Sequence, residues 1–151
     1  MTNEKIVTAA MIVIGDEILS GRTKDKNIGF VADYLTGLGI DLTEVRIVAD
    51  DQGAIIEAVN TLRARCDYVF TSGGIGPTHD DITAESISAA FGLPCTHHPQ
   101  AMREMAEHYA KRGMEFTDAR KRMARTPEGA ELIDNPVSKA PGIRIENVYI
   151  M

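Results

Sequence analysis

The chain lacks a long apolar run, a leader-like pattern in its first residues, a basic patch and a cysteine framework, and each absence shapes what is expected of it. No stretch approaches the roughly 20 apolar residues that cross a bilayer, and Met1-Thr2-Asn3-Glu4-Lys5 has no charged-then-apolar leader pattern. Two cysteines, Cys66 and Cys95, show no metal-type spacing and read as reduced thiols. A cytoplasmic protein without a membrane partner is the expectation. Acidic residues outnumber basic ones 22 to 16, for a formal net charge of -6. A nucleic-acid polymer is therefore not the expected partner, and any phosphate must be held locally. Neither the Walker A pattern nor the dinucleotide fingerprint occurs, and there is no internal repeat or low-complexity linker.

What remains is a 151-residue chain, 44% hydrophobic and 25% charged, which suits one domain with a single substantial core. The run from Ile6 to Ile14 is almost wholly apolar or small and rich in Ile and Val, as a strand buried on both faces requires. A helical stripe of Ile28, Val31, Leu35 and Leu38 follows, ending near Gly37 and Gly39. Asp41 to Val48 predicts a second strand, and Asp50-Asp51 a helix cap. Ile55, Val59, Leu62 and Cys66 then share a helical face, and Tyr68 to Phe70 predicts a third strand. This β-α-β-α-β order implies a parallel sheet, whose ligands collect at the carboxyl ends of the strands.

Two motifs fall at that rim. One is Gly15-Asp16-Glu17. The other is Thr71-Ser72-Gly73-Gly74-Ile75-Gly76-Pro77-Thr78-His79-Asp80-Asp81-Ile82-Thr83. The glycine turn is either a tight connection or an anion cradle, and the hydroxyls of Ser72, Thr78 and Thr83 with a following helix N-terminus favour the cradle. Asp80 and Asp81 suit either a helix cap or a hard cation such as Mg²⁺, which takes one or two carboxylates plus substrate phosphates. Two acidic pairs at one rim repel each other unless a cation lies between them, which favours the metal.

Thr83 reads as a helix cap, with Ile82 and Ile87 at staple spacing and a stop at Gly92-Leu93-Pro94. His79 reads either as an exposed loop residue or as a phosphate contact. His97-His98 beside Cys95 reads as a surface turn, since no further ligand stands at suitable spacing. Met102, Met105 and Tyr109 read as core of a helix from about 100 to 111. A helix from about 118 to 125 carries Arg120, Lys121, Arg122 and Arg125, a solvated face or, less favoured, a reach toward ligand phosphates. Short strands near 131–133 and 143–151, separated by turns at Asn135-Pro136 and Pro141-Gly142, predict an antiparallel end to the sheet.

Gly15-Asp16-Glu17-Ile18-Leu19, the Ser72 to Thr78 loop and Asp81-Ile82-Thr83-x-Glu85 together resemble the molybdopterin-binding domain shared by MogA, MoaB, MoeA, gephyrin and the N-terminal part of CinA. The CinA type is the nearest match, because His79-Asp80-Asp81 stands where MogA-like members carry basic residues before the aspartate. Pro127-Glu128-Gly129-Ala130 and Asn135-Pro136-x-x-x-Ala140-Pro141-Gly142 are similar to that type as well.

The resemblance covers nearly the whole chain and implies a three-layer α/β/α fold with a mostly parallel mixed sheet, in one domain over 1–151. The pattern stops mid-strand at Val148-Tyr149-Ile150-Met151, so a C-terminal continuation is expected. The implied catalytic residues are Asp81 and Asp16. Ser72, Gly73, Gly74, Gly76, Pro77, Thr78 and Glu17 are the implied ligand-binding set, and Asp81 with Asp80 the implied ligands of a divalent metal (Mg, or else Mn or Co).

The ligand implied is a nucleotide or molybdopterin phosphate. The CinA branch is associated with metal-dependent hydrolysis of ADP-ribose-type pyrophosphates, and that is the leading expectation. Molybdopterin adenylylation with ATP in molybdenum cofactor biosynthesis is the alternative, against which Asp80 counts. A non-catalytic ligand-binding or oligomerising module is the third. Relatives form dimers or trimers, so a homo-oligomer is expected.

Overall fold

Val7–Ile14 forms the central strand β1, and its composition explains its position. Ala10, Ile12 and Ile14 point into the main core, while Ala9, Met11 and Val13 on the opposite face are buried as well. A strand apolar on both faces must be covered on both, which is what a three-layer sandwich provides. The computed structural model describes residues 5–135 and 140–151.

A one-turn helix α1 (Asp16–Leu19) and helix α2 (Asn27–Gly37) follow β1, then strand β2 (Ile40–Val48). Helix α3 (Gln52–Arg65), strand β3 (Tyr68–Ser72) and helix α4 (Thr83–Ala90) complete the expected alternation. The sheet order is β2-β1-β3-β8-β7-β6, with β1 parallel to β2 and β3, and β3 parallel to β8 (Val148–Ile150). Strands β7 (Gly142–Ile145) and β6 (Glu131–Ile133) add an antiparallel edge, as the turn residues predict. Helices α3 and α4 cover one face with Ile55, Ala58, Val59, Leu62 and Ile87 at zero exposure, and α2 lies along β2.

A smaller unit packs beside the sheet. Strand β4 (Cys95–His97) pairs antiparallel with β5 (Arg125–Pro127), and helix α5 (Pro99–Lys111) buries Ala101 and Met105 against Ala124, Met102, Tyr109 and Phe116. The methionine stripe is therefore core, as read from its spacing.

Four local expectations need correction. Residues 118–125 are not one helix: α6 (Asp118–Lys121) gives way to a 3-10 turn at Arg122–Ala124 and then to β5. The expected strand 143–151 is a hairpin, broken at Glu146, whose φ is 50°. Thr83 begins α4 without capping it, because its hydroxyl donates backward to the Gly73 carbonyl at 2.9 Å. Leu38 is not on a buried stripe. With Phe30 and Tyr34 it is exposed beside Tyr68, Phe70 and Tyr149, in an apolar groove of about 390 Å³. The Asn135-Pro136 turn runs into residues 136–139, which lie outside the described residues. Among the described residues no helix is long and apolar enough to cross a membrane.

Candidate functional site

The glycine loop has the shape it has because three side chains have been left out. Gly73 has φ 97°, and a Cβ there would lie 2.1 Å from the Ile14 carbonyl oxygen. Gly74 has φ 70°, and its Cβ would meet the Thr83 hydroxyl at 2.1 Å. Both positions lie in the left-handed region that favours glycine. At Gly76 a Cβ would press on the Asp81 carboxylate at 2.8 Å. The loop thus lies directly against β1, α4 and Asp81.

Asp81 closes the turn. Its Oδ2 accepts from the Thr78 N–H at 2.9 Å and the Thr78 hydroxyl at 2.7 Å, while its own N–H donates to the Thr78 carbonyl at 3.1 Å. Oδ1 has no protein partner among the described residues, which leaves it for a water or a cation. Across the rim, Gly15 is extended and donates to the Val48 carbonyl at 3.0 Å, so α1 starts at the very end of the sheet. A Cβ on Gly15 would run into the Glu17 carboxylate at 2.6 Å.

Asp16, Glu17, Gly74, Thr78, Asp80 and Asp81 line one hollow of about 280 Å³, joined by Arg22 and Asp50. The two sequence motifs do meet. Other expected residues lie nearby but apart. Ser72 and Gly73 line a neighbouring hollow with Glu17, and Gly76 lines a narrow cleft behind the loop with Arg122. Pro77 is exposed on the turn and is not among the residues lining any of these spaces.

Two site residues were not legible as such. The sequence offers Asp50 only as a possible cap, but Asp51 is the cap, accepting the Ala54 N–H at 2.9 Å. Asp50 instead faces the rim, half-buried. Burial, and behind it the charges of Asp16, Glu17 and Asp81, push its carboxyl above the usual carboxylate range, against the Asp16 N–H that it accepts. Its place at the carboxyl end of β2 was the available signal.

Arg122 is the other. It belongs to the run expected to be a solvated face or, less favoured, to reach ligand phosphates, and its Nε donates to the Thr78 carbonyl and its Nη2 to the Asp81 carbonyl, both at 3.2 Å. Arg122 and Arg125 also converge on Glu85, at 3.3 and 3.2 Å. The basic run therefore reaches the loop itself.

His79 is exposed and pairs loosely with Asp80 at 3.3 Å. His98 caps α5 and His97 lies in β4, so the histidine pair is structural. Among the described residues no group of three or more His, Cys, Asp or Glu side chains converges closely enough to hold a metal ion. The carboxylate donor set at the rim is nonetheless all hard oxygen, with Asp16, Glu17, Asp50, Asp80 and Asp81 beside the one Arg22. That combination fits Mg²⁺, Mn²⁺ or Co²⁺ completed by ligand phosphates and water.

The fold and site are those of an α/β domain with a mixed, mostly parallel sheet and a glycine loop and an acidic turn at one rim. The family model described as "Probable molybdopterin binding domain" matches residues 10–151. The chain belongs to that family. The crystal structure of CinA, a protein of unknown function from Thermoplasma acidophilum, superposes with a TM-score of 0.87 at 32% identity, covering 97% of this chain and 88% of that one. A protein of Aeropyrum pernix is 39% identical over 138 residues, 91% of this chain and 52% of its own length. A CinA-like protein of Anaeromyxobacter is 37% identical over 131 residues, 87% of this chain and 32% of its own length. The chain thus spans about half or a third of the length of these two relatives. MoaB of Pyrococcus furiosus, a tungsten cofactor synthesizing protein, shares the fold at a TM-score of 0.57 and 22% identity.

Proposed function

We propose that this CinA-like domain binds a nucleotide- or pterin-type phosphate at the glycine loop and hydrolyses ADP-ribose-type pyrophosphates with a divalent cation. The observation that carries this reading is the convergence of Asp16, Glu17, Asp50, Asp80 and Asp81 on a hollow whose wall is Gly74 and Thr78. Five carboxylates against the single guanidinium of Arg22 around this hollow are unfavourable unless a further cation offsets them.

In this reading the Gly73-Gly74 turn seats the pyrophosphate, with the start of α4 behind it favouring negative charge. Asp81, held through Oδ2 by Thr78, presents Oδ1 to the attacking water or to the cation. Asp80 and Asp81 would be the metal's protein ligands, and the metal would supply Lewis-acid stabilisation of charge on the phosphate oxygens. Asp16 and Asp50 hold the facing turn in place and take up the proton that water loses. Water attacks one phosphorus, the bridging oxygen leaves with the other phosphate, and two monophosphates result.

The reading is tested by incubating the protein with ADP-ribose or FAD and Mg²⁺, Mn²⁺ or Co²⁺ and following release of AMP. Accumulation of an adenylylated pterin from molybdopterin and ATP would instead assign the adenylyl-transfer alternative. Assembly as a dimer or trimer belongs to the same proposal, supported by the exposed Phe30, Tyr34 and Leu38, and analytical ultracentrifugation decides it.

A further inference from the structure

Next to the acidic hollow lies a second, of about 420 Å³, and Glu17 borders both. Its walls are residues 23–26 with Asn27 of α2 on one side and Ser72-Gly73 on the other, half-buried Ile18 is its accessible apolar side chain, and the buried Val13 and Ile14 border it at the end of β1. Asn27 bridges the walls, donating from Nδ2 to the Ser72 hydroxyl at 2.9 Å, so this hollow and the glycine loop are tied together.

The charge here is mixed, Lys24 and Lys26 standing against Glu17 and Asp25. Lys24 and Lys26 line the space, and neither makes an ion pair with a carboxylate among the described residues. Asp25, between them, is committed to the start of α2, where its Oδ2 accepts the Ile28 N–H at 2.8 Å. Two ammonium groups without an ion pair thus stand one step from a rim crowded with carboxylates. A ligand with a second anionic group cannot place it on that rim, and Lys24 and Lys26 are the cations that this hollow offers for it.

We propose that this hollow takes the nucleoside half of the ligand and that Lys24 and Lys26 recognise a phosphate monoester on its ribose. The proposal rests on the glycine loop holding the pyrophosphate. The base then lies against Ile18, the sugar lies near Asn27, and the extra phosphate meets the lysines. A volume of about 420 Å³ suits one half of a dinucleotide-sized ligand. The preferred substrates are accordingly pyrophosphates with a third, ribose-borne phosphate.

The test is calorimetric binding to the wild-type protein, with Mg²⁺, of the non-hydrolysable α,β-methylene analogues of ADP-ribose and of ADP-ribose 2′-phosphate, so that binding is read without turnover. The 2′-phosphorylated ligand is expected to bind about tenfold tighter at low salt, the effect of two partly screened contacts. Lys24→Gln with Lys26→Gln is expected to abolish that preference, leave ADP-ribose binding unchanged and not shift the melting temperature. Equal binding of the two ligands, or a preference that survives the double substitution, overturns the proposal while leaving the glycine-loop reading intact. Failure of both ligands to bind removes the two readings together.

Discussion

Asp16 and Asp50 hold each other by their backbones. The Asp50 carboxylate accepts the Asp16 N–H at 3.0 Å, and the Asp16 carboxylate accepts the Asp50 N–H at 3.1 Å. The ends of β1 and β2 are 34 residues apart in sequence, yet this reciprocal pair fixes them as one wall of the acidic hollow. Two like charges are brought close to do it, and Asp50 bears the cost.

That cost has a sign. The folded-state acidity of Asp50 is weakened by burial and by neighbouring carboxylates, so protonation favours the folded state. Its contribution is fully present below the ordinary carboxylate range and is lost as pH rises through the raised folded value. Asp50→Asn keeps an acceptor for the Asp16 N–H and removes the charge. Urea unfolding at pH 7 is expected to show it at least as stable as wild type, with the difference vanishing in acid. Asp50→Ala leaves that N–H without its acceptor and is expected to cost about 1 kcal/mol.

Asp67 behaves in the opposite way. Lys5 at 2.8 Å and the Thr8 N–H at 2.9 Å hold its carboxyl below the usual range. Its contribution is present above the ordinary carboxylate value and is lost as pH falls through the lowered folded value. Acid titration of Asp67→Asn by circular dichroism is expected to give a shallower acid limb than wild type. An unchanged limb would show that the pair at the start of β1 contributes nothing.

The glycines of the loop are predicted to differ from the rest. Gly73→Ala places a methyl against the Ile14 backbone at a positive φ and is expected to cost more than about 2 kcal/mol. Gly29, inside α2 with nothing within 4 Å of a Cβ, is the control, and Gly29→Ala is expected to stabilise by about 0.5–1 kcal/mol. Thermal denaturation of the two variants side by side reads both.

Arg122 should act on the loop from behind. Arg122→Ala removes its donors to the Thr78 and Asp81 carbonyls and its pair with Glu85. The expected effects are a loss of about 1–3 kcal/mol and faster hydrogen exchange at the Asp81 amide. Arg122→Lys is expected to restore little, since one ammonium lacks the planar fork that reaches all three acceptors. Exchange at Asp81 equal to wild type in both variants would mean that the loop holds itself.

The parallel half of the sheet was legible because its signals are local. The Ile6 to Ile14 run, Asp41 to Val48 and the helical stripe of α3 each declare a period and a boundary, and the glycine loop shows its turn chemistry directly. The segment 118–125 misled because Arg120, Lys121, Arg122 and Arg125 have helical spacing. Pairing of Arg125–Pro127 with Cys95–His97, a contact made across nearly 30 positions, overrides that local preference. Leu38 misled because periodicity marks a stripe but not what covers it. Asp50 was missed for a related reason. Asp50-Asp51 reads as one cap signal, and only the sheet decides which aspartate turns inward.

The proposed function has Asp81 and the acidic rim carry out cation-dependent pyrophosphate hydrolysis. The direct measurement is AMP release from ADP-ribose by wild type and by Asp81→Asn, each with Mg²⁺, Mn²⁺ and Co²⁺ and with EDTA, alongside melting temperatures. The account predicts cation-dependent turnover by wild type and, at an unchanged melting temperature, a fall of about 100-fold or more in the variant. Turnover absent with every cation, or equal in wild type and Asp81→Asn, would contradict it.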